Sequence, residues 1–281
     1  MFTVIFSITQ FSQIRSSSPL SMSSSPSRSS GTREMPVSIQ ALNFHDIPAC
    51  AQLTAAAFAT DPHTIVKQFG RQPYDMFTMT SSSLEESFKR ENFIYVKAVD
   101  EQGAVVGHAG WVISGAGQKR APSRNTADER LVAENGQGAE TDKPKECGGV
   151  KEDPIERLHS LEEADTQYWL RDLVPGDMPC MFVVGLTVSP SHQGQGIGSA
   201  LLRYGNDIAE EKGLSIWAHS SHQAYATYKK IGFETRHELR IDLDDYAPRP
   251  PREGESTMAG RQDGKWGHYV IRYMERKPGG N

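Results

Sequence analysis

Apolar positions along this chain recur with two different periods once the first 35 residues are passed. A period of two indicates a strand and a period near 3.6 indicates an amphipathic helix. Residues 37–42 have the strand period, and a helical pattern follows from Asp46-Ile47-Pro48, since proline is tolerated in a first turn. That helix is predicted to end at Asp61-Pro62. A second helix is predicted near 82–90, and strands 92–98 and 104–113 are predicted to form a hairpin.

The second half of the chain alternates helices and strands. A helix is predicted from Pro154, and the apolar run 181–188 is typical of a strand buried on both faces. The remaining predicted elements are a helix over 197–208 with Gly213 as its cap, strand 214–218, helix 223–231, and strands 233–241 and 268–274. This order predicts one α/β domain with a single mixed sheet.

Two stretches, 1–35 and 115–152, have no hydrophobic period. Apolar residues make up 37% of the chain, below the usual share, and these stretches account for much of the deficit. We interpret 115–152 as a disordered insertion in one domain that spans 36–276. The serine-rich, acid-poor segment 1–35 leaves three interpretations open: a disordered tail, a mitochondrial presequence, and an over-extended start.

Charge and cysteine usage exclude several classes of partner. The net charge of -5 and the pI of about 6.0 provide no basic field for nucleic acid or an anionic membrane. No apolar run approaches the roughly 20 residues that span a bilayer. Cys50, Cys147 and Cys180 have neither disulfide-framework nor metal-site spacing, which favours a reducing compartment. We therefore expect a cytoplasmic protein, or a mitochondrial one if the first segment is a presequence.

The run Gln193-Gly194-Gln195-Gly196-Ile197-Gly198 joins the predicted buried strand to a predicted helix. Glycines at the start of a helix form an anion site, because free backbone N–H groups point outward and no side chain blocks a phosphate. A dinucleotide motif would need a third glycine at Ser199 or Leu201, and a P-loop would need a Gly-Lys-Ser/Thr ending. Both nucleotide motifs fail on spacing, so a different phosphate-bearing ligand is expected.

What the run does fit is the pattern Q/R-x-x-G-x-G/A, and here the chain resembles the GNAT (GCN5-related N-acetyltransferase) superfamily. The downstream run Tyr228-Lys229-Lys230-Ile231-Gly232-Phe233 is similar to the family's Y-x-x-x-G-F ending. The specific resemblance covers about residues 181–234, and the element order extends it to roughly 36–276. It implies the GNAT fold, with a single mixed, mostly antiparallel central sheet that is flanked by helices and splayed around its central strands.

The resemblance also implies a role for each matching residue. The pyrophosphate of acetyl-CoA would lie against the backbone amides of Gln193, Gly194, Gln195, Gly196, Ile197 and Gly198. The pantetheine arm would pair with the backbone of Leu186, Thr187 and Val188. Tyr228 would assist departure of the thiolate; the alternative is that it is a core aromatic residue. No metal is expected.

The general base is the part of the mechanism that the sequence leaves open. An alkyl ammonium group has a pKa near 10, so a base must remove its proton at neutral pH. The strand 181–188 has no carboxylate, and the candidate is His219 at the end of the next strand. Its alternative is a solvent-facing histidine. Asp61 either binds an amine or caps a turn, and we favour the cap; His192 and His222 are interpreted as surface residues.

These observations predict a single-domain N-acetyltransferase that moves acetyl from acetyl-CoA to a primary amine of a small molecule or peptide by direct attack. The sequence does not choose the acceptor, and it leaves monomer and homodimer open. The alternative is a CoA-binding regulatory module without catalytic activity. The missing carboxylate in strand 181–188 favours that alternative, whereas the retained Tyr228 argues against it.

Overall fold

The computed structural model describes residues 37–70, 75–115, 153–176, 178–258 and 264–279. The predicted tail 1–35 and all but the first residue of the predicted insertion 115–152 lie outside the described residues.

Seven described strands form one sheet in the order β1-β2-β3-β4-β5-β7-β6. The strands are β1 (Val37–Ala41), β2 (Phe93–Asp100), β3 (Val105–Ser114), β4 (Cys180–Val188), β5 (Ser215–Ser220), β6 (Glu234–Asp242) and β7 (His268–Arg276). Neighbouring strands are antiparallel except for β4 and β5, which are parallel. The predicted single, mixed and mostly antiparallel sheet is confirmed.

Six α-helices connect the strands in the described part of the chain. They are α1 (Ile47–Phe58), α2 (Pro62–Lys67), α3 (Met76–Phe88), α4 (Pro154–Tyr168), α5 (Ile197–Lys212) and α6 (Tyr225–Lys230). A π-helical turn, Trp169–Leu173, extends α4. Helix α3 starts earlier than predicted, and α2 was not predicted. Asp61-Pro62 ends α1 as expected but also begins α2, because proline is favoured at the first helical position and Asp61 is its N-cap.

The sheet separates two hydrophobic cores, and β4 contributes to both. Met181 and Val183 face one core, whereas Phe182 and Val184 face the other. The prediction that this strand is buried on both faces is therefore confirmed. The α5-side core includes Val96, Ala98, Ala109, Trp111, Met181, Val183, Leu186, Leu201, Ala218, Tyr228 and Phe233. The α4-side core includes Val112, Leu158, Trp169, Phe182, Val184, Trp217, Tyr269 and Tyr273.

Helix α5 lies directly on Trp111 of β3, and this contact fixes how closely the helix approaches the sheet. A Cβ added at Gly205 would lie 2.2 Å from Cε2 of Trp111, so only glycine allows this approach. The helix ends at Gly213, which has the left-handed conformation (φ 64°) predicted for its cap. The glycine run that precedes α5 is thereby held against the end of β4.

The central strands β4 and β5 diverge. Their parallel pairing ends at Val183↔Ala218, although β4 continues to Val188. On the other side of β4, the register with β3 shifts between Gly110 and Trp111, which is a β-bulge. A bulge bends its strand and increases the twist. The second half of β4 consequently turns away from β5 and leaves a wedge between them, which confirms the splayed sheet.

Candidate functional site

The loop between β4 and α5 has a backbone conformation that depends on glycine. Gly194 and Gly196 have positive φ angles of 77° and 86°, and Gly196 is the N-cap of α5. The side-chain amide of Gln193 donates to the carbonyl of Val188 at 3.2 Å, which ties the loop to the end of β4. The free N–H groups at the start of α5 therefore point out of a fixed loop.

A cavity of about 190 Å³ lies between this loop and α6. Its lining residues are Val188, His192, Gln193, Gly194, Gly196, Ile197, Gly198, Ser199, Ala226, Thr227 and Lys230. The positive end of the α5 dipole and the Lys230 ammonium both favour an anion at this position. We call it the glycine-loop cavity. The sequence analysis missed Thr227 and Lys230, whose position beside the loop depends on how α6 packs.

Three of the predicted binding residues do not line the glycine-loop cavity with their side chains. Leu186 and Thr187 are buried within β4, where their predicted contacts use backbone groups. Gln195 is exposed and its side-chain amide donates to the carbonyl of Ser191 at 3.3 Å. His192, interpreted above as a surface residue, is instead half-buried and lines the cavity.

Tyr228 lies in α6 and is fully buried in the α5-side core. Its ring meets the ring of Phe233 edge to face, with 5.1 Å between the centroids. The structure thus gives Tyr228 the packing of a core aromatic residue. The predicted role of its hydroxyl group stays a prediction.

His219 is near the end of β5 and only 4% exposed, so the alternative of a solvent-facing histidine is wrong. Its ring packs edge to face on Tyr273 at 5.1 Å, in the α4-side core. The sheet therefore separates His219 from Tyr228. Burial lowers the pKa of His219 to about 3, with the charges of His63 and Lys67 adding to the effect and that of Glu162 opposing it. The imidazole is consequently neutral at physiological pH.

Beside His219 lies a buried ionic cluster that the sequence analysis missed, formed by His63, Lys67 and Glu162. Glu162 accepts from Nζ of Lys67 at 2.5 Å through one carboxylate oxygen and contacts Nε2 of His63 through the other. Burial opposes ionisation, but the charges of His63 and Lys67 hold the pKa of Glu162 well below its usual range. Glu162 follows Ile155 and Leu158 at helical spacing, and a carboxylate on an apolar stripe was the available sequence signal.

Asp61 caps α2, as favoured from the sequence. One of its oxygens, Oδ2, accepts from the backbone N–H and the hydroxyl group of Thr64, both at 2.9 Å. The other oxygen, Oδ1, accepts from the side-chain amide of Gln223 at 2.7 Å. Asp61 is only 1% exposed, so its charge is balanced by these hydrogen bonds rather than by water.

Within the described ranges, no group of three or more His, Cys, Asp or Glu side chains is arranged to hold a metal ion. The same part of the chain contains no helix with the length and apolar character needed to cross a membrane.

Acidification is expected to destabilise the protein through two buried histidines. Burial lowers the pKa of His108, whose Nε2 lies 2.9 Å from the Thr54 hydroxyl, to about 4, and that of His219 to about 3. The unfolded chain, in which both histidines have pKa values near 6.5, then binds more protons than the folded chain. The stabilisation is therefore fully present above about pH 6.5 and is lost as the pH falls below this value. Each histidine should cost about 2 kcal/mol between pH 7.5 and pH 5 in denaturant unfolding.

The matched variants for this measurement are His219→Asn and His45→Asn, since His45 is exposed. The first should lose about half of the pH dependence and the second none of it. An equally steep dependence in His219→Asn would show that this histidine is not the source.

Comparison with known proteins agrees with this geometry. Residues 159–233 match the family model described as the acetyltransferase (GNAT) family. The match extends from α4 through the glycine loop to Phe233. No curated protein matches the chain closely enough to count as a relative.

Several solved structures share the fold. Arylalkylamine N-acetyltransferase 2 from Aedes aegypti is 15% identical, with a TM-score of 0.52 over 86% of this chain and 98% of that one. A mutant agmatine N-acetyltransferase in its apo form is 16% identical, with a TM-score of 0.51 over 86% of this chain and 99% of that one. Arylalkylamine N-acetyltransferase 7 from the same mosquito, described as putative, is 13% identical, with a TM-score of 0.50 over 86% and 87%.

Proposed function

We propose that this chain transfers acetyl from acetyl-CoA to a primary amine. The basis is that both its family match and its fold are those of a GNAT-family protein. The acceptor would be a small molecule or a peptide. One observation carries the proposal: the wedge between β4 and β5 begins beyond Val183↔Ala218, and the glycine-loop cavity lies at Val188, where the same strand ends. A long ligand can lie along β4 in the wedge, with a phosphate at one end in the glycine-loop cavity.

The residues present suit acetyl-CoA, which supplies an acetyl group already activated as a thioester. Gly194 and Gly196 bring bare backbone to the cavity, and Lys230 adds a positive charge opposite the loop. We assign the pyrophosphate to the amides of 193–198 and the pantetheine arm to the backbone of 186–188. Backbone N–H groups beside the β4 bulge would stabilise negative charge that develops on the acetyl oxygen.

Proton transfer would involve residues on both faces of the sheet. We assign the amine's proton to a path that starts at His219, whose neutral imidazole can accept a hydrogen bond. Because the pKa of His219 is about 3, the imidazole would not keep the proton, and bulk water would be its final acceptor. The neighbouring Glu162 carboxylate would stabilise the imidazolium form of His219 while it holds the proton. Tyr228, on the other face, would donate a proton to the departing thiolate.

Release of free thiol from acetyl-CoA tests the proposed function. Purified protein is incubated with acetyl-CoA and a panel of primary amines, including an arylalkylamine, agmatine and a peptide with a free N-terminus. Thiol release above background with at least one amine is expected. Background rates across the panel, with CoA binding intact by calorimetry, would contradict the proposal and favour a regulatory module.

The variant Tyr228→Phe is expected to bind acetyl-CoA normally and to turn over about 10²-fold more slowly, because general acid assistance is lost. The matched control is Tyr204→Phe, whose ring packs near Trp111 at 6.4 Å between centroids and away from the cavity lining. The control should keep its rate. An unchanged rate in Tyr228→Phe would show that Tyr228 has only a structural role.

We also propose a cytoplasmic location. The described cysteines, Cys50 and Cys180, are buried and neither belongs to a disulfide, which suits a reducing compartment. A mitochondrial location would follow instead if residues 1–35 act as a presequence.

A further inference from the structure

Gln223 joins two parts of the molecule that are far apart in sequence. It lies in the loop between β5 and α6. Its side-chain nitrogen donates to Oδ1 of Asp61 at 2.7 Å, and its side-chain oxygen accepts from the hydroxyl group of Tyr269 in β7 at 3.3 Å. The glutamine amide donates through its nitrogen and accepts through its oxygen, so this one side chain makes both contacts.

One side of this bridge leads to the glycine-loop cavity. Gln223 is two positions before Tyr225, the first residue of α6, and α6 carries Thr227 and Lys230 in the cavity lining. The hydroxyl group of Ser221 accepts from the backbone N–H of Ala224 at 3.3 Å, which keeps the loop and the helix together. Movement of α6 when the cavity fills would therefore be transmitted to Gln223.

The other side leads to the ionic cluster beside His219, where the proposed proton path begins. Asp61 caps α2, and α2 carries His63 and Lys67 of the ionic cluster beside His219. Tyr269 also makes a second contact, with α2 itself, because its ring stacks on the ring of His63 with 4.7 Å between the centroids. The position of α2 is thus set at its N-terminus by Gln223 and at its C-terminal half by Glu162.

We infer that Gln223 is a positioning residue that couples the two substrate sites. Filling of the glycine-loop cavity orders α2 through Asp61 and raises the affinity for the amine. Coupling of this kind is reciprocal, so a bound amine raises the affinity for CoA by the same factor. The inference rests on the proposed function, because the proposed proton path starts at His219 and the amine is therefore assigned to the α2 side of the sheet.

Calorimetry on the full chain tests the coupling without relying on turnover. The amine that gives the highest thiol release, or agmatine if none does, is titrated into protein alone and into protein saturated with CoA. In the wild type the two affinities should differ by about 5-fold to 150-fold. In Gln223→Leu the difference should vanish, while the affinity for CoA alone stays within about 2-fold. In the turnover assay, Gln223→Leu should raise KM for the amine by a larger factor than it lowers kcat.

The matched control is Gln167→Leu on α4, which removes a glutamine amide that donates to Glu163 at 2.9 Å. It should keep the wild-type coupling. If Gln223→Leu does not fold, Tyr269→Phe removes one of the two bridge contacts and should reduce the coupling partly.

A second readout separates positioning from simple structural support. Gln223→Glu places a carboxyl group against Asp61, with Tyr269, His63 and His222 as the other titratable groups nearby. At pH 8 the introduced carboxylate repels Asp61, and at pH 6 protonation of the introduced carboxyl group restores a donor. Relative to wild type at the same pH, the coupling in this variant should be lost at pH 8 and recover at pH 6.

Three outcomes would overturn the inference: no coupling in the wild type, full coupling in Gln223→Leu, or a pH-independent defect in Gln223→Glu. Failure of the proposed function is distinguishable from these, because it appears as absent thiol release whatever the binding experiments give.

Discussion

Replacement of Gly196 by glutamate is expected to abolish acetyl-CoA binding. The residue is the N-cap of α5 with φ 86°, a conformation that costs other residues about 1–2 kcal/mol. The new side chain also brings a negative charge to the glycine-loop cavity, where the proposed pyrophosphate would lie. Calorimetry should show an affinity loss of at least about 100-fold, or about 2.7 kcal/mol.

The control separates backbone strain from loss of the site. Gly103 in the β2–β3 turn has nearly the same φ, 82°, with nothing within 4 Å of an added Cβ. Gly103→Glu therefore introduces the same conformational strain and the same charge away from the cavity, and it should keep normal affinity. Normal affinity in Gly196→Glu would refute the assignment of the pyrophosphate to the glycine-loop cavity.

Neutralisation of Glu162 is expected to have the largest effect on stability. Glu162→Gln leaves Lys67 and His63 without their carboxylate, and these side chains are only 14% and 6% exposed. Removing one partner of a buried ion pair typically costs 3–5 kcal/mol, and we expect a loss of about that size in denaturant unfolding at pH 7. A loss below about 1 kcal/mol would mean that water, not the carboxylate, balances the cluster.

Two variants sharpen this measurement. Glu163→Gln changes the exposed neighbour of Glu162 and should alter stability by no more than about 0.5 kcal/mol. The double variant Glu162→Gln/Lys67→Met also removes the Lys67 ammonium and should recover part of the loss. Additive losses in the double variant would show that the two side chains do not interact.

The central sheet and the glycine loop could be predicted from sequence because their patterns are local. The run 181–188 is apolar at every position except Thr187, so its assignment as a central strand does not depend on register. The glycine loop follows it directly, and Gly213 ends the next helix. In contrast, α2 is six residues long, too short for a period, and the same Asp61-Pro62 that begins it also ends α1.

The rest of the site depends on long-range geometry. Which face of the sheet His219 occupies is set by the pleat of β5, and a shift of one residue would reverse it. Gln223 and Asp61 are 162 positions apart, and their contact exists only once β7 and α2 have packed. Glu162 was detectable as a charge on an apolar stripe, but its partners on α2 were not, because α2 itself was missed.

The divergence of β4 and β5 gives this sheet a strand edge in its interior. Exposed strand edges are normally confined to the outer strands, where proteins protect them because they can pair with another chain. Here the pairing stops at Val183↔Ala218 and the rest of β4 faces a gap. A cosubstrate with amide groups along its length would complete this edge as an added strand does. Acetyl-CoA bound as proposed should therefore also protect the protein against self-association.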